Sequence, residues 1–249
     1  MQTEKRLTTR EYWTKENLQF EFQRHNGHAV ETLLRKFIPF NREGSCIEIG
    51  SFPGPFLTVF GDLGYTLNGI DFHQKNELEL PRWLQGLGYK TGEFKTTDFF
   101  EYPISRKFDV VASFGFIEHF DNYKEVILKH AALVKPGGYL ALTTPNFRGE
   151  IQYWLHSTFD SNNLALHNLE SMQPNLWASL LVDNGFEIKY QGHFGGFLFW
   201  RSPQQMGTLK KRSLWIIERV ITRLGKLIWF QSPAFSGYCG LIASKKQTT

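Results

Sequence analysis

Short β-rich apolar runs alternate with segments whose apolar residues recur every three or four positions, from about residue 10 almost to the end of the chain. Residues 10 to 38 read as two helices, separated near Asn26-Gly27 and stopped by Pro39. The run Ser45-Cys46-Ile47-Glu48-Ile49-Gly50 predicts a buried strand entering a turn, then a helix through Phe60 with Pro53 and Pro55 in its first turn. Further strands are predicted over residues 66 to 70, 89 to 95, 108 to 113, 139 to 144, 186 to 190 and 239 to 243. Helices are predicted over residues 122 to 134 and 174 to 184, and Lys135-Pro136-Gly137-Gly138 is expected to turn the chain.

Strands and helices alternating at this spacing imply parallel pairing through right-handed crossovers. The expected fold is a doubly wound, three-layer, Rossmann-like α/β domain with a seven-stranded, mostly parallel sheet. Such sheets bind ligands at the carboxyl ends of their strands. The chain reads as one domain, 1–249, with N-terminal helices in 1–43 and the cofactor-binding half in 44–144. Two segments, 145–172 and 197–234, lie outside the minimal alternation and are candidate substrate or partner elements.

With 249 residues and 41% hydrophobic side chains, the chain can bury a substantial core, which excludes intrinsic disorder. Phe, present 23 times, is the commonest aromatic and suggests pockets walled by rings. The excess of 28 basic over 24 acidic residues matters only where charges cluster. Cys46 and Cys239 stand far apart within apolar runs, as reduced core thiols of a cytoplasmic protein would. The first residues carry no apolar run and nowhere are 18 apolar residues consecutive, so neither a signal peptide nor a membrane span is expected.

Glu48 to Gly54 puts glycines where a strand becomes a helix, so backbone amides can approach a charged ligand. The dinucleotide pattern G-x-G-x-x-G fails at Phe52 and Pro55, which disfavours a nicotinamide-dependent oxidoreductase, and no Walker loop is present. What remains is acid-x-Gly-x-x-x-Gly. Asp71, at the end of the second strand, can grip both hydroxyls of a ribose. Asp98, beside Phe99, can accept from an exocyclic amine while rings sandwich a purine. Helix capping is the plainer role of both aspartates, but their joint spacing with Glu48 favours a nucleoside ligand.

Glu48 to Gly54, Asp71, Thr97-Asp98-Phe99, Phe108-Asp109-Val110-Val111 with Ile117-Glu118-His119, and Val134 to Gly138 together resemble class I S-adenosylmethionine-dependent methyltransferases. The likeness spans about residues 28 to 195 and is nearest the small-molecule group that includes the ubiquinone-pathway O-methyltransferases. It implies S-adenosyl-L-methionine as cofactor, held by Glu48, Gly50, Ser51, Gly54, Asp71, Asp98 and Phe99. The chain departs from the family's glycine-rich turn at Phe52, which replaces its middle glycine.

The reaction so implied is methyl transfer to a small-molecule or carrier-linked (glycan or lipid) acceptor, chiefly at a hydroxyl. His119 is the first candidate base and His167 the second. Their plainer roles are a backbone-bonded histidine and, for both His156 and His167, a surface histidine. Asp109 is expected to pair structurally. Ser113-Phe114-Gly115-Phe116 stands where base-amino methyltransferases carry their motif, so methylation of nucleic-acid bases is disfavoured. No Cys and His spacing suggests a metal. The alternative is a binding or scaffold protein that kept the fold and lost turnover.

Residues 209 to 230 predict one more helix, with Leu209, Ile216, Ile217, Val220, Ile221, Leu224, Leu227 and Ile228 on an apolar face. Lys210, Lys211, Arg212, Arg219, Arg223 and Lys226 oppose the single acid Glu218, with Trp215 and Trp229 nearby. Peripheral contact with an anionic membrane suits this pattern. So does packing on the domain itself or on a second subunit, whereas nucleic acid is disfavoured by the lack of a binding module.

Overall fold

In the computed structural model, residues 6–16, 21–24, 26–199, 208–225 and 230–247 are described. Helices α1 (Arg10–Glu16) and α2 (Ala29–Phe37) precede strand β1 (Ser45–Ile49). Then follow α3 (Leu57–Asp62), β2 (Thr66–Asp71), α4 (Lys75–Leu78), α5 (Leu80–Gly86), β3 (Thr91–Thr96) and β4 (Phe108–Phe114). The chain continues through α6 (Tyr123–Ala132), β5 (Val134–Pro145), α7 (Glu150–Phe159), α8 (Ser161–Leu164) and α9 (Pro174–Asp183). It closes with β6 (Phe186–Phe197), α10 (Thr208–Gly225) and β7 (Ser236–Lys245).

The strands form one seven-stranded sheet in the order β3-β2-β1-β4-β5-β7-β6. Neighbours from β3 to β5 pair in parallel, and β7 runs antiparallel to both β5 and β6. Successive residues of the central strands face opposite layers. Cys46, Val110, Ala112, Ala141 and Ile242 pack against α2, α3 and α5, while Ile47, Val111, Leu140, Leu142 and Leu241 pack against α6 and α9. Burial on both faces explains why these strands read as unbroken apolar runs. Cys46 and Cys239 are free buried thiols.

Three boundaries differ from expectation for identifiable reasons. The Pro136-Gly137-Gly138 turn lies inside β5: Phe108 pairs with Val134 and Val110 with Tyr139, so the intervening residues of β5 bulge out. Gly137 takes φ +77°, and a Cβ on Gly138 would lie 2.8 Å from the Asp109 carbonyl, so side chains are excluded there. Pro53 and Pro55 sit in the turn before α3, which begins only at Leu57. Strand β6 runs to Phe197 because its partner β7 continues opposite it, although as a half-exposed edge strand it lacks the apolar run that marks the centre.

Order 2-1-4 puts the reversal of winding between β1 and β4, so a crevice opens at their carboxyl ends. The 145–172 segment forms α7, α8 and a 3-10 turn at Leu169–Ser171, and 197–234 contributes α10. Leu155 and Phe159 of α7 pack on Leu214 of α10, with Ile217 half-buried against them. That contact adds Leu214 to the inward face, which keeps Ile217 as expected, whereas Ile216 and Val220, also expected there, are exposed. The side chains of Leu209, Lys210, Ile221 and Leu224, and residues Lys226, Leu227, Ile228 and Trp229 entirely, lie outside the described residues. No helix among the described residues is long and apolar enough to cross a membrane.

Candidate active site

The crevice is a pocket whose wall includes Gly50 after β1, Asp71 and Phe72 after β2, Thr97, Asp98 and Phe99 after β3, and Phe114 to Phe116 after β4. His119 and Phe120 follow, and Arg6, Thr8 and Trp13 from the N-terminal segment complete the wall. Gly50 takes φ +73°, and a Cβ there would meet Phe116 at 2.9 Å. Its lack of a side chain keeps the mouth of β1 open for close backbone approach.

Asp71 is held by two backbone donors, His73 N–H at 2.7 Å and Phe52 N–H at 3.2 Å. Burial raises its carboxyl to about 6, with those amides pulling the other way. The capping and ligand roles are thus compatible, since one carboxylate both closes the turn and faces the pocket. Phe52 lines the same wall, buried and stacked on His73 at 4.1 Å between ring centroids.

Asp98 caps its own turn through Phe100 N–H at 2.9 Å and is ion-paired with Arg6. The Arg6 guanidinium lies over Phe72 and Phe100, so this end of the pocket is a charged pair set among rings. The expected contact of Asp98 with an exocyclic amine is shared with a cation that the sequence did not place there. Leu7 N–H donates to the His119 carbonyl at 2.9 Å, which ties the segment carrying Arg6 across the pocket.

The other expected cofactor residues stand outside the wall. Glu48 is buried behind it, with Oε2 lacking a hydrogen-bond partner among the described residues and its carboxyl raised well above the usual range by burial and then by Asp71. Ser51 donates its hydroxyl to Asn76 Oδ1 at 2.6 Å, away from the pocket. Gly54, at φ +80°, leaves room for Leu80, which a Cβ would meet at 2.6 Å. Asp109 pairs structurally as expected, accepting from Ser45 N–H and Oγ–H and from Lys135 Nζ.

His119 and His167, 48 residues apart in the chain, come together with ring centroids 4.7 Å apart. His119 Nδ1 faces the Leu166 carbonyl at 3.0 Å and His167 Nδ1 the Asn163 carbonyl at 2.7 Å. A carbonyl only accepts, so both Nδ1 atoms carry hydrogen and both Nε2 atoms keep lone pairs. Burial, then the neighbouring His167, pushes His119 down to about 3; burial, opposed by the bond to Asn163, leaves His167 at about 4. Both rings are neutral at physiological pH. His156 is likewise buried rather than on the surface, because α7 turns it inward against Phe147 and Asp160.

Glu118 completes the cluster and was missed as a site residue. It is buried, its Oε2 has no hydrogen-bond partner among the described residues, and burial raises its carboxyl to about 8. Glu118, His119 and His167 each offer an atom able to bind a metal, all within 4.8 Å of one another. Trp13, edge-on to His119 at 5.0 Å, is the other missed neighbour.

Residues 22–191 match the family model described as a methyltransferase domain. A search of curated protein sequences found no match to the chain. A Bacillus halodurans protein proposed to be a methyltransferase is similar in structure, with TM-score 0.62 and 17% identity over 88% of this chain and 99% of that one. An S-adenosylmethionine-dependent methyltransferase from Archaeoglobus fulgidus superposes with TM-score 0.54 and 19% identity over 87% and 93%. Magnesium protoporphyrin IX methyltransferase from Synechocystis, solved with bound S-adenosylhomocysteine, gives 0.50 and 16% over 87% and 80%. These likenesses establish the Rossmann-like fold, and the family match covers more than half of the chain, which therefore belongs to the methyltransferase-domain family.

Proposed function

We propose that the chain methylates a hydroxyl of a small-molecule or carrier-linked acceptor, using S-adenosyl-L-methionine as donor. The residues present fit that cofactor. Asp71 offers a buried carboxylate to a ribose, Phe72 and Phe99 offer rings to a purine, and side-chain-free Gly50 admits close backbone approach. The cofactor supplies a methyl group already activated on a sulfonium.

The observation that carries the hydroxyl reading is His119, which lines the pocket with a neutral ring whose Nδ1 is fixed by the Leu166 carbonyl. Its Nε2 can take a hydrogen bond from an acceptor hydroxyl and then its proton as the new carbon–oxygen bond forms. A base of low pKa suffices here, because an oxygen gaining a methyl group becomes strongly acidic before it loses its proton. His167 packs beside His119 and keeps that ring in place, while Trp13 shields it from water. The proton leaves His119 for solvent after product departs. The resemblance to ubiquinone-pathway O-methyltransferases supports the same class of acceptor.

Calorimetry with S-adenosylmethionine and S-adenosylhomocysteine, followed by methyl transfer to a panel of phenols, sugars, amines and carboxylates, tests this reading. Binding of both cofactor forms at one site with transfer to hydroxyls is expected. Transfer only to amines or carboxylates overturns the hydroxyl assignment. Binding without any transfer assigns the chain to the scaffold class instead.

A further inference from the structure

Eight of the thirteen exposed large apolar side chains among the described residues lie in 145–172 and 197–234, which hold only about a quarter of the chain. Tyr153 and Trp154 on α7, and Trp215, Ile216 and Val220 on α10, are each about half exposed. Leu155 and Phe159 of α7 against Leu214 of α10 bring the two helices together as one unit. That unit therefore presents apolar surface outward, where a solvated cover would present polar groups.

The outer side of α10 is also basic. Lys211, Arg212, Arg219 and Arg223 are exposed, while the one acid of α10, Glu218, is half-buried. At 100° per residue, Arg212, Arg219 and Arg223 fall within about 40° of one another, roughly opposite buried Leu214. Trp215 and Ile216 flank this ridge, and the Arg219 guanidinium lies 5.1 Å over the Trp215 ring. Acid is sparse nearby, with exposed Glu150 at the start of α7 following exposed Arg148.

We infer that α10, with the outer side of α7, docks on an anionic lipid surface. Arginines aligned with tryptophan and aliphatic side chains match such an interface, where cations meet headgroups and rings enter the acyl boundary. A second copy fits less well, since a two-fold contact would set the same arginine ridge against itself. A nucleic acid would use the arginines and leave the aliphatic groups uncovered. Ring contacts running His119–His167–Phe147–His156–Phe199 link the pocket to the apolar cluster beneath the two helices. The inference rests on this surface and not on the chemistry of the acceptor, so it stands or falls separately from the proposed reaction.

The test is co-sedimentation of the full chain with vesicles of phosphatidylcholine alone or mixed with phosphatidylglycerol. Binding only to the phosphatidylglycerol vesicles, and release as salt rises from about 0.1 M to about 0.5 M, is expected. Replacing both Arg219 and Arg223 by Ala should weaken it roughly 30-fold, from about 1 kcal/mol per cation. Trp215→Ala, which keeps every charge, should weaken it several-fold. Unchanged circular dichroism and thermal midpoint show that the variants fold. Equal binding to both vesicle types, no binding, or full binding by the arginine variant overturns the inference. So does a dimer in sedimentation velocity that the arginine variant dissolves, or salt-sensitive retention of an oligonucleotide without vesicle binding.

Discussion

At the end of the pocket proposed for the cofactor, backbone amides hold the Asp71 carboxyl, which burial raises only to about 6, whereas around His119, where the acceptor is proposed to sit, burial leaves the titratable groups neutral near pH 7. Asp71 takes two amide hydrogen bonds and faces the pocket. His119, His167 and Glu118 are all shifted by burial toward their neutral forms. The first arrangement grips a polar ligand through groups that need not move. The second keeps lone pairs available in a dry site without fixed charge, which suits accepting a proton late in a reaction. The division predicts that substitutions at one end change affinity and at the other change turnover.

The largest expected effect is on turnover. His119→Ala should lower kcat about 100-fold or more, while the cofactor Kd measured by calorimetry stays within about twofold. With its ring held near a pKa of about 3, His119 is neutral across the physiological range and should add no acid limb to the rate between pH 5 and 9. A parallel loss of cofactor affinity would merge the two ends into one.

Asp71→Ala should weaken S-adenosylmethionine binding roughly 10- to 100-fold by removing a charged hydrogen-bond acceptor. The ionised carboxylate is the better acceptor, and its pKa is raised to about 6. Affinity should therefore be full at pH 7 to 8 and fall below pH 6 by up to about tenfold per unit. Calorimetry from pH 5 to 8 should find that slope in the wild type and none in Asp71→Ala.

Glu118 should reveal the dry end through stability. Its folded pKa is about 8, above the usual carboxyl value, so the folded state keeps a proton that the unfolded chain releases. Stability from this group is full at low pH and declines as pH rises toward 8, by up to about 1.4 kcal/mol per unit. Glu118→Gln should flatten that decline in chemical denaturation series. An unchanged slope would mean that Glu118 is ionised and that water reaches the cluster around His119.

The same contrast governs what the sequence could show. The cofactor end was legible because its residues follow strand ends at fixed spacing: Gly50 after β1, Asp71 at the end of β2 and Asp98 after β3 all reach one wall. The histidines were legible as candidates but not as a pair, since the carbonyls of Leu166 and Asn163 aim them and no periodicity encodes an aim. Arg6 gave no signal at all, because its partner Asp98 lies 92 residues away. Two residues expected on the apolar face of α10, Ile216 and Val220, are exposed for a related reason, while Ile217 packs inward as expected. Which apolar residues turn inward was decided by Leu155 and Phe159 on another helix, and they selected Leu214.

Ser51 gives the smallest effect and sharpens the cofactor end most. The family resemblance assigns it to the cofactor, yet its hydroxyl donates to Asn76 Oδ1 at 2.6 Å, and a Cβ on Gly69 of β2 would meet that hydroxyl at 2.4 Å. The side chain is thus turned toward the sheet, and Asn76 in turn donates to the Lys95 carbonyl at 3.0 Å, joining β1, α4 and β3. The hydroxyl of Ser51 is thus committed to Asn76 and not to the pocket. Ser51→Ala should leave cofactor affinity within about twofold while costing about 1 to 3 kcal/mol of stability, because Asn76 Oδ1 loses its buried donor. Calorimetry and urea denaturation on the same preparation separate the two quantities. A tenfold loss of affinity with unchanged stability would mean that the hydroxyl turns to the ligand on binding, and the cofactor end would then be adaptable rather than preset.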